Sequence, residues 1–202
     1  MKKTLLISIQ PQWLKKILNG RKTIEVRRKV NKEILDKLDR GETVEAYLYC
    51  TKGKPYLYYN FRNKEYVSCD DKNNLTYYHS DYQKVMGSNL INGTIPAKVV
   101  IDGYVKLDYY KVDYTYGNMW LTNMTTFKNN CQLSHQQFID YGKGKDLYAL
   151  HISRVEVLDE VMKLGDFHIG DNCITDPKEY HMSNDYGSIT RPPQNMMIVW
   201  VK

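Results

Sequence analysis

The first thirty residues switch between strand-like and helix-like spacing of apolar side chains. An apolar run over residues 4–9 predicts a strand, and apolar side chains three and four apart predict a short amphipathic helix over residues 11–19. Gly20 can adopt the left-handed backbone conformation that ends a helix. The alternation after it predicts a second strand with two different faces: Ile24 and Val26 on one, and Thr23, Glu25 and Arg27 on the other.

The same two patterns continue to the end of the sequence. Asn31 is typical of a residue that caps a helix, and Gly41 of one that ends it; Ser134 begins a capping-box sequence ahead of a helix that ends at Gly142. Further strands are predicted at residues 43–50, 56–59, 65–68, 93–102, 147–153, 155–158 and 196–201. Short strands from distant parts of the chain, with two or three helices between them, predict an α+β fold with a mixed, partly closed barrel.

Two stretches interrupt these patterns, and neither has the composition of an interdomain linker. Residues 55–92 are rich in tyrosine and asparagine, which predicts a peripheral insertion, and residues 107–130 are loop-rich. The tyrosines of the insertion could stack on unpaired bases or only cover a small sheet. We therefore predict one domain over residues 1–202 that carries an insertion.

The charge of the chain is mildly positive. It has 29 lysine and arginine residues against 23 aspartate and glutamate residues, a formal net charge of +6, which permits an anionic partner without requiring one. No apolar run approaches the roughly 18 residues of a membrane helix, so no membrane partner is predicted. The apolar run at residues 4–9 is cut by Gln10 and Pro11 before it reaches the length of a signal peptide, which predicts a cytoplasmic protein.

The spacing of the cysteines gives no sign of a metal site. Cys50, Cys69, Cys131 and Cys173 lie far apart, with no Cys-x-x-Cys pair and no zinc-type spacing to a histidine. We predict free thiols, no metal and no cofactor.

Charged residues at the first helix-to-strand corner are the main candidates for chemistry. Glu25 and Arg27 are two apart on one strand face and close enough to pair, and Lys22 adds an ammonium group beside them. Such a cluster can hold a phosphate next to a carboxylate that accepts from an amino group. The alternative is a solvated strand face without function. Lys52 and Lys54, on a glycine-containing turn, would offer an anion both charge and backbone donors.

Six segments of the sequence carry a family resemblance. The first two read Ser8-Ile9-Gln10-Pro11-Gln12-Trp13 and Ile17-Leu18-Asn19-Gly20-Arg21-Lys22-Thr23-Ile24-Glu25-Val26-Arg27, and the others cover residues 93–100, 148–153, 158–160 and 191–194. The first two resemble the opening signature of the ASCH domain family, within the PUA-like superfold. The whole set, in this order, resembles the ASCH proteins of phages and prophages.

The resemblance implies a PUA-like mixed β pseudo-barrel flanked by a few helices, with a cleft beside the helix-to-strand corner and an association with RNA or nucleotides. Some small ASCH proteins are amidohydrolases that deacetylate N4-acetylcytidine with a lysine, a threonine and a glutamate, and others are reported as ribonucleases. The lysine of that pattern falls on Lys22. The threonine falls on Glu25, with Thr23 nearby on the same strand face, and no downstream glutamate matches.

The first functional hypothesis is a cleft that binds RNA, another single-stranded nucleic acid or a nucleotide. Glu25 would accept from an exocyclic amine, and Arg27 would orient Glu25 or contact phosphate. Lys22, Lys52 and Arg191 would supply charge. Gln194 follows Arg191 across two prolines and could face the same cleft, although an extended approach to the last strand also explains those prolines.

The second hypothesis is hydrolysis of an acylated nucleoside or of RNA. Lys22 would be the base that activates Thr23 or a water molecule, with Glu25 as the third member of the catalytic set. His151 is a candidate second acid or base, or else a structural histidine. The third hypothesis is a phage-encoded protein that occupies a host protein through the insertion at residues 55–92.

Overall fold

The computed structural model describes residues 2–60, 63–70, 90–107, 124–169 and 188–201. Helices in these ranges are Pro11–Leu18 (α1), Lys32–Asp39 (α2), Met124–Cys131 (α3) and His135–Gly142 (α4). The strands are Lys2–Ile9 (β1), Ile24–Arg27 (β2), Val44–Cys50 (β3), Tyr56–Asn60 (β4), Glu65–Cys69 (β5), Ile95–Leu107 (β6), Leu147–Met162 (β7), Phe167–His168 (β8) and Met196–Val201 (β9). None of these helices is both long enough and apolar enough to cross a lipid bilayer.

Seven of the strands form one mixed sheet, in the order β2-β7-β6-β3-β1-β9-β8. In this sheet β1 runs parallel to β3 and antiparallel to β9, and β2 runs antiparallel to β7. Strands β4 and β5 form a separate antiparallel hairpin at the predicted position. The predicted α+β fold class is confirmed.

The chain divides into two compact units. Unit 1 consists of Met1–Lys15, Ala46–Lys98 and Val157–Lys202, and unit 2 of Lys16–Glu45 and Val99–Glu156. The single domain over residues 1–202 stays a prediction.

Unit 1 is built around β1, whose residues 4–9 are all buried. Its apolar core is formed by Leu6, Tyr49, Ile95, Phe167, Ile189, Val199 and Val201. The ring of Tyr47 meets the ring of Phe167 edge-on, with 5.1 Å between the centroids. These contacts place the ends of β1, β3 and β9 beside one another.

Unit 2 has its own core, between α3 and the strands β2, β6 and β7. It contains Ile24, Val26, Val105, Leu107, Phe127, Cys131, Leu147 and Ala149. The sequence predicted only loop over the described residues 124–130, so the helix α3 corrects that expectation. All four residues of β2 are buried, which places its charged side chains in the protein interior rather than on a solvated face.

Several turn and cap predictions are confirmed. Asn31 accepts from the backbone N–H of Glu33, and Ser134 forms the predicted capping box with Gln137. Gly20 has a φ of 70°, the left-handed conformation expected at the end of α1.

Candidate functional site

The corner between α1 and β2 turns the chain so that Lys22 points into unit 2. The backbone N–H groups of Arg21 and Lys22 both donate to the carbonyl of Lys16, at 2.8 and 3.0 Å, which closes the turn after the helix. Gly20 lies at the middle of this turn, where its positive φ would strain any other residue. The next residues can therefore enter the sheet directly as β2.

Lys22 is a buried cation with a partner for each of its hydrogens. Its side chain is 2% exposed, and its Nζ donates to the carbonyl of Ile24 at 2.6 Å and to the carbonyl of Cys131 at 2.8 Å. Nζ also lies 3.3 Å from Oε2 of Glu25. An ammonium group has three donors, so these three contacts can satisfy it completely.

Glu25 is held between two cations. Its Oε1 lies 3.0 Å from Nε of Arg27, and its Oε2 faces Lys22. The Glu25 and Arg27 side chains are only 11% and 8% exposed, so the geometry of the pair is fixed by its surroundings. Because a carboxylate can accept about four hydrogen bonds, Glu25 retains capacity for a further donor.

The ionic cluster of Lys22, Glu25 and Arg27 carries two positive charges and one negative charge, a net charge of +1. Its effect reaches the end of α1: burial lowers the pKa of the Lys16 amine, and the positive charge of Lys22 lowers it further. The local potential is therefore positive, which suits an anionic ligand.

Helix α3 fixes the strand that carries this cluster. The N–H of Thr23 donates to the carbonyl of Asn130, the residue before Cys131, at 2.9 Å. On the other edge, the carbonyl of Thr23 accepts from the N–H of Ile152 in β7 at 2.8 Å. Sequence reasoning could not find the role of Asn130 and Cys131, because every residue has a backbone carbonyl and nothing in the local sequence marks these two.

His151, in β7, has a carboxylate partner. Its Nδ1 lies 2.6 Å from Oδ1 of Asp102 in β6, and its position in the sheet is opposite Ile24. The hydroxyl of Ser153 donates to the carbonyl of Val100 at 3.3 Å. Asp102 was missed by the sequence analysis, although its polar side chain between the buried Ile101 and Gly103 was a usable signal for the exposed face of the strand.

Three predicted ligand-binding residues belong to unit 1. Lys52, Arg191 and Gln194 are all exposed there. Lys52 follows β3, and its side chain lies against Gly93. The structure brings Lys22, Glu25 and Arg27 together in unit 2, with Thr23 half-buried between them in sequence. The convergence of the two groups stays a prediction.

The described cysteines are free, and two of them lack the features of a reactive thiol. Burial raises the pKa of the Cys50 thiol to about 12 and also raises the pKa of the Cys131 thiol. Both therefore hold their protons at neutral pH and are poor nucleophiles. Cys173 lies outside the described residues. Within the described ranges, no group of three or more His, Cys, Asp or Glu side chains is arranged to hold a metal ion.

Comparison with solved structures finds this fold in an ASCH protein. The crystal structure of ASCH from Zymomonas mobilis is 16% identical, with a TM-score of 0.48, and the match covers 98% of this chain and 87% of that chain. A mutant of that protein gives a TM-score of 0.50 at 16% identity over 98% of this chain and 88% of that chain. Another mutant gives a TM-score of 0.49 at 16% identity, and the match covers 100% of this chain and 91% of that chain.

A likeness at 16% identity shows the fold alone, and the structure with a TM-score of 0.50 supports the PUA-like fold that the resemblance implied. No protein-family model and no curated protein matches the sequence. The phage or prophage type stays a prediction.

Proposed function

We propose that this protein binds RNA, another single-stranded nucleic acid or a nucleotide through the ionic cluster of unit 2. The observation that carries the proposal is the fixed position of Glu25 between Lys22 and Arg27. A carboxylate held in this way is an acceptor whose position is set before the ligand arrives, which lowers the entropy cost of binding.

The chemistry of the cluster suits the edge of a base. Glu25 accepts from an exocyclic amino group, as acidic side chains do with cytosine. Arg27 holds the carboxylate in place and adds positive charge for a phosphate oxygen. Lys22, which is tied to two backbone carbonyls, serves mainly to position Glu25.

Burial of the cluster limits the ligand to a small contact. A side chain that is 11% exposed can be reached by the edge of one base but not by the broad surface of a duplex. The proposal therefore favours an unpaired base or a free nucleotide, since the Watson–Crick edge of such a base is accessible. Lys52, Arg191 and Gln194 of unit 1 remain predicted ligand-binding residues, in a protein that we place in the cytoplasm.

The same geometry supports hydrolysis less well. A general base must accept a proton, but the Nζ of Lys22 is already a donor to the carbonyls of Ile24 and Cys131. A set of Lys22, Thr23 and Glu25 would therefore have to lose contacts that hold β2 to α3 before it could act.

The experiment measures binding of fluorescent 12-residue oligonucleotides by anisotropy at low and moderate salt. Oligocytidine presents an exocyclic amine at each base and oligouridine presents none, so the wild-type protein should prefer oligocytidine. Glu25→Gln keeps the shape of the side chain but removes its charge. We expect a loss of roughly 5- to 100-fold for oligocytidine and little change for oligouridine.

Glu42→Gln is the matched control, because Glu42 forms an exposed ion pair with Arg40 in the same unit. It should leave both affinities unchanged. No binding to RNA, single-stranded DNA or nucleotides at low salt would refute the proposal, as would an unchanged base preference in the folded Glu25→Gln variant. Cleavage of the oligonucleotide or release of acetate from acetylcytidine would favour the hydrolase instead.

A further inference from the structure

Strands β6 and β7 place three side-chain pairs next to one another. Along β6, the residues Asp102, Tyr104 and Lys106 alternate with the buried Ile101, Gly103, Val105 and Leu107. Two of the three meet a residue of β7, Asp102 pairing with His151 and Tyr104 with Tyr148. Lys106 pairs with Asp146, the residue before β7. Along β6, the tyrosine of the aromatic pair thus lies between Asp102 and Lys106, which share its face of the strand.

The two rings are oriented by their neighbours. The centroids of Tyr104 and Tyr148 are 6.1 Å apart, with 47° between the ring planes, and both residues are half-buried. The hydroxyl of Tyr104 donates to Oδ1 of Asp39, in α2, at 3.0 Å, which restrains that ring. Each residue keeps part of its surface exposed to solvent.

Cations flank the two rings. In the sheet register Arg27 is directly opposite Tyr148, and opposite residues of antiparallel strands project from the same face. Lys106, two residues after Tyr104, has a side chain that is 58% exposed. The rings therefore lie between the buried ionic cluster on one side and the exposed Lys106–Asp146 ion pair on the other.

We propose that Tyr104 and Tyr148 form a stacking platform for unpaired bases of a single-stranded nucleic acid. This inference rests on the proposed function, since the strand it describes is the one whose base edge reaches Glu25. Aromatic rings with flanking positive charge are the combination that binds single strands, because every base has a face that can stack and every nucleotide has a phosphate. A base on Tyr148 would lie next to Arg27, and Lys106 would exchange its exposed partner Asp146 for a phosphate beyond Tyr104.

A second tyrosine pair does not offer the same surface. Tyr59 and Tyr66 of the β4–β5 hairpin have ring centroids 5.1 Å apart, but Tyr66 is only 7% exposed. Its ring packs within the hairpin. This pair serves as the control for the platform.

The test compares ring removal with ring retention. Tyr148→Leu and Tyr104→Leu remove a stacking face, and we expect each to weaken binding of a 12-residue RNA by roughly 5- to 150-fold. Tyr148→Phe and Tyr104→Phe keep the ring and should stay within about threefold of the wild type. Tyr59→Leu should leave the affinity unchanged. The slope of log affinity against log salt should not change in the leucine variants, because stacking releases no counterions.

A strand with the same length of sugar–phosphate but with abasic positions gives an independent readout. It should bind the wild type and the leucine variants equally, since it has nothing to stack. A DNA strand of the same sequence shows whether a 2′-hydroxyl contributes: equal losses on RNA and DNA mean that the platform reads only the base.

The platform is refuted if the folded leucine variants bind the RNA as tightly as the wild type, or if Tyr59→Leu loses as much. If a leucine variant fails to fold, the phenylalanine variants still test the platform. A loss of affinity in folded Tyr148→Phe as large as that expected for ring removal would assign the effect to the hydroxyl and not to stacking. If the protein with both tyrosine rings present shows no Glu25-dependent preference for oligocytidine over oligouridine, the result would instead count against the proposed function.

Discussion

Protein oxygens replace the hydration of the Lys22 side chain in the interior. Two backbone carbonyls and one carboxylate surround its Nζ, and each lies within 3.3 Å. The desolvation cost of such a group is several kcal/mol, and it is offset only while these acceptors stay in place. The lysine therefore ties the start of β2 to the end of α3.

Lys22→Met should destabilise the protein strongly, because methionine fills similar space but leaves the carbonyls of Ile24 and Cys131 without their donor and Glu25 without one of its cations. We expect a loss of about 3–5 kcal/mol in the free energy of unfolding, measured by urea denaturation. Lys128→Met, at an exposed position of α3, is the matched control and should change it by less than about 0.5 kcal/mol. Equal effects of the two substitutions would contradict this account of Lys22.

Prediction of contacts between single residues succeeded where the two residues are close in the sequence. Glu25 and Arg27 are two apart on one strand, and their predicted pairing is confirmed by the 3.0 Å contact. It failed where the partner was distant: the burial of Lys22 depends on a carbonyl 109 residues away. No property of the lysine or of its neighbours in sequence specifies that acceptor.

At the scale of elements, the conformation of Gly20 decides how α1 passes into β2. Its φ is 70°, and an added Cβ would meet no other atom within 4 Å, so the cost of a side chain there is backbone strain and not collision. A left-handed conformation costs a residue with a Cβ roughly 1–2 kcal/mol.

Gly20→Ala should therefore lower the free energy of unfolding by about 1 kcal/mol. Gly165→Ala is the comparison, because its surroundings are equally open but its φ is not in the left-handed region. That substitution should be neutral or stabilising by up to about 1 kcal/mol, since it reduces the freedom of the unfolded chain. Urea denaturation of the two variants measures the difference, and two equal values would show that the corner is not under this constraint.

The elements that the sequence predicted are those with strong local signals. The cap residues Asn31 and Ser134 and the alternation in β3 have physical causes within a few residues. Helix α3 lacks such signals, because its sequence is rich in threonine and asparagine and forms a helix where Phe127 and Cys131 pack against β2. Tertiary packing here overrides a weak propensity.

At the scale of the whole molecule, buried thiols and phenols make the free energy of unfolding decrease at alkaline pH. Burial raises the pKa of Cys50 to about 12 and raises the pKa of Cys131, Tyr49, Tyr58 and Tyr66. In the unfolded chain a cysteine ionises near pH 9, so between about pH 9 and about pH 12 only the unfolded state loses the Cys50 proton. The contribution of this thiol is thus complete below pH 9 and lost progressively above it.

We expect the free energy of unfolding, measured in urea with a reductant present, to fall as the pH rises from 8 to 10. Cys50→Ala should lower stability at pH 8 because it leaves a small cavity, but its decline with pH should be shallower. The difference in slope cannot exceed about 1.4 kcal/mol per pH unit for one group. Parallel curves for the two proteins would show that Cys50 titrates alike in the folded and unfolded states.

The α+β class was predictable because it follows from the number and type of local elements. The order of the strands was not, since β2 pairs with residues 148–151 of β7, more than a hundred residues along the chain. Other contacts between strands that are distant in sequence, including those of Tyr148 with Tyr104 and of His151 with Asp102, also depend on how the sheet is assembled.

The ionic contacts around Glu25 also constrain how this sequence can vary through descent. A change at Lys22 alone would leave the buried Glu25 with one of its two cations, and a change at Glu25 alone would set two buried cations against each other. Relatives should therefore either keep all three residues or have replaced them together, with apolar residues of similar volume. In an alignment of homologous sequences, these three positions should be conserved together or substituted together.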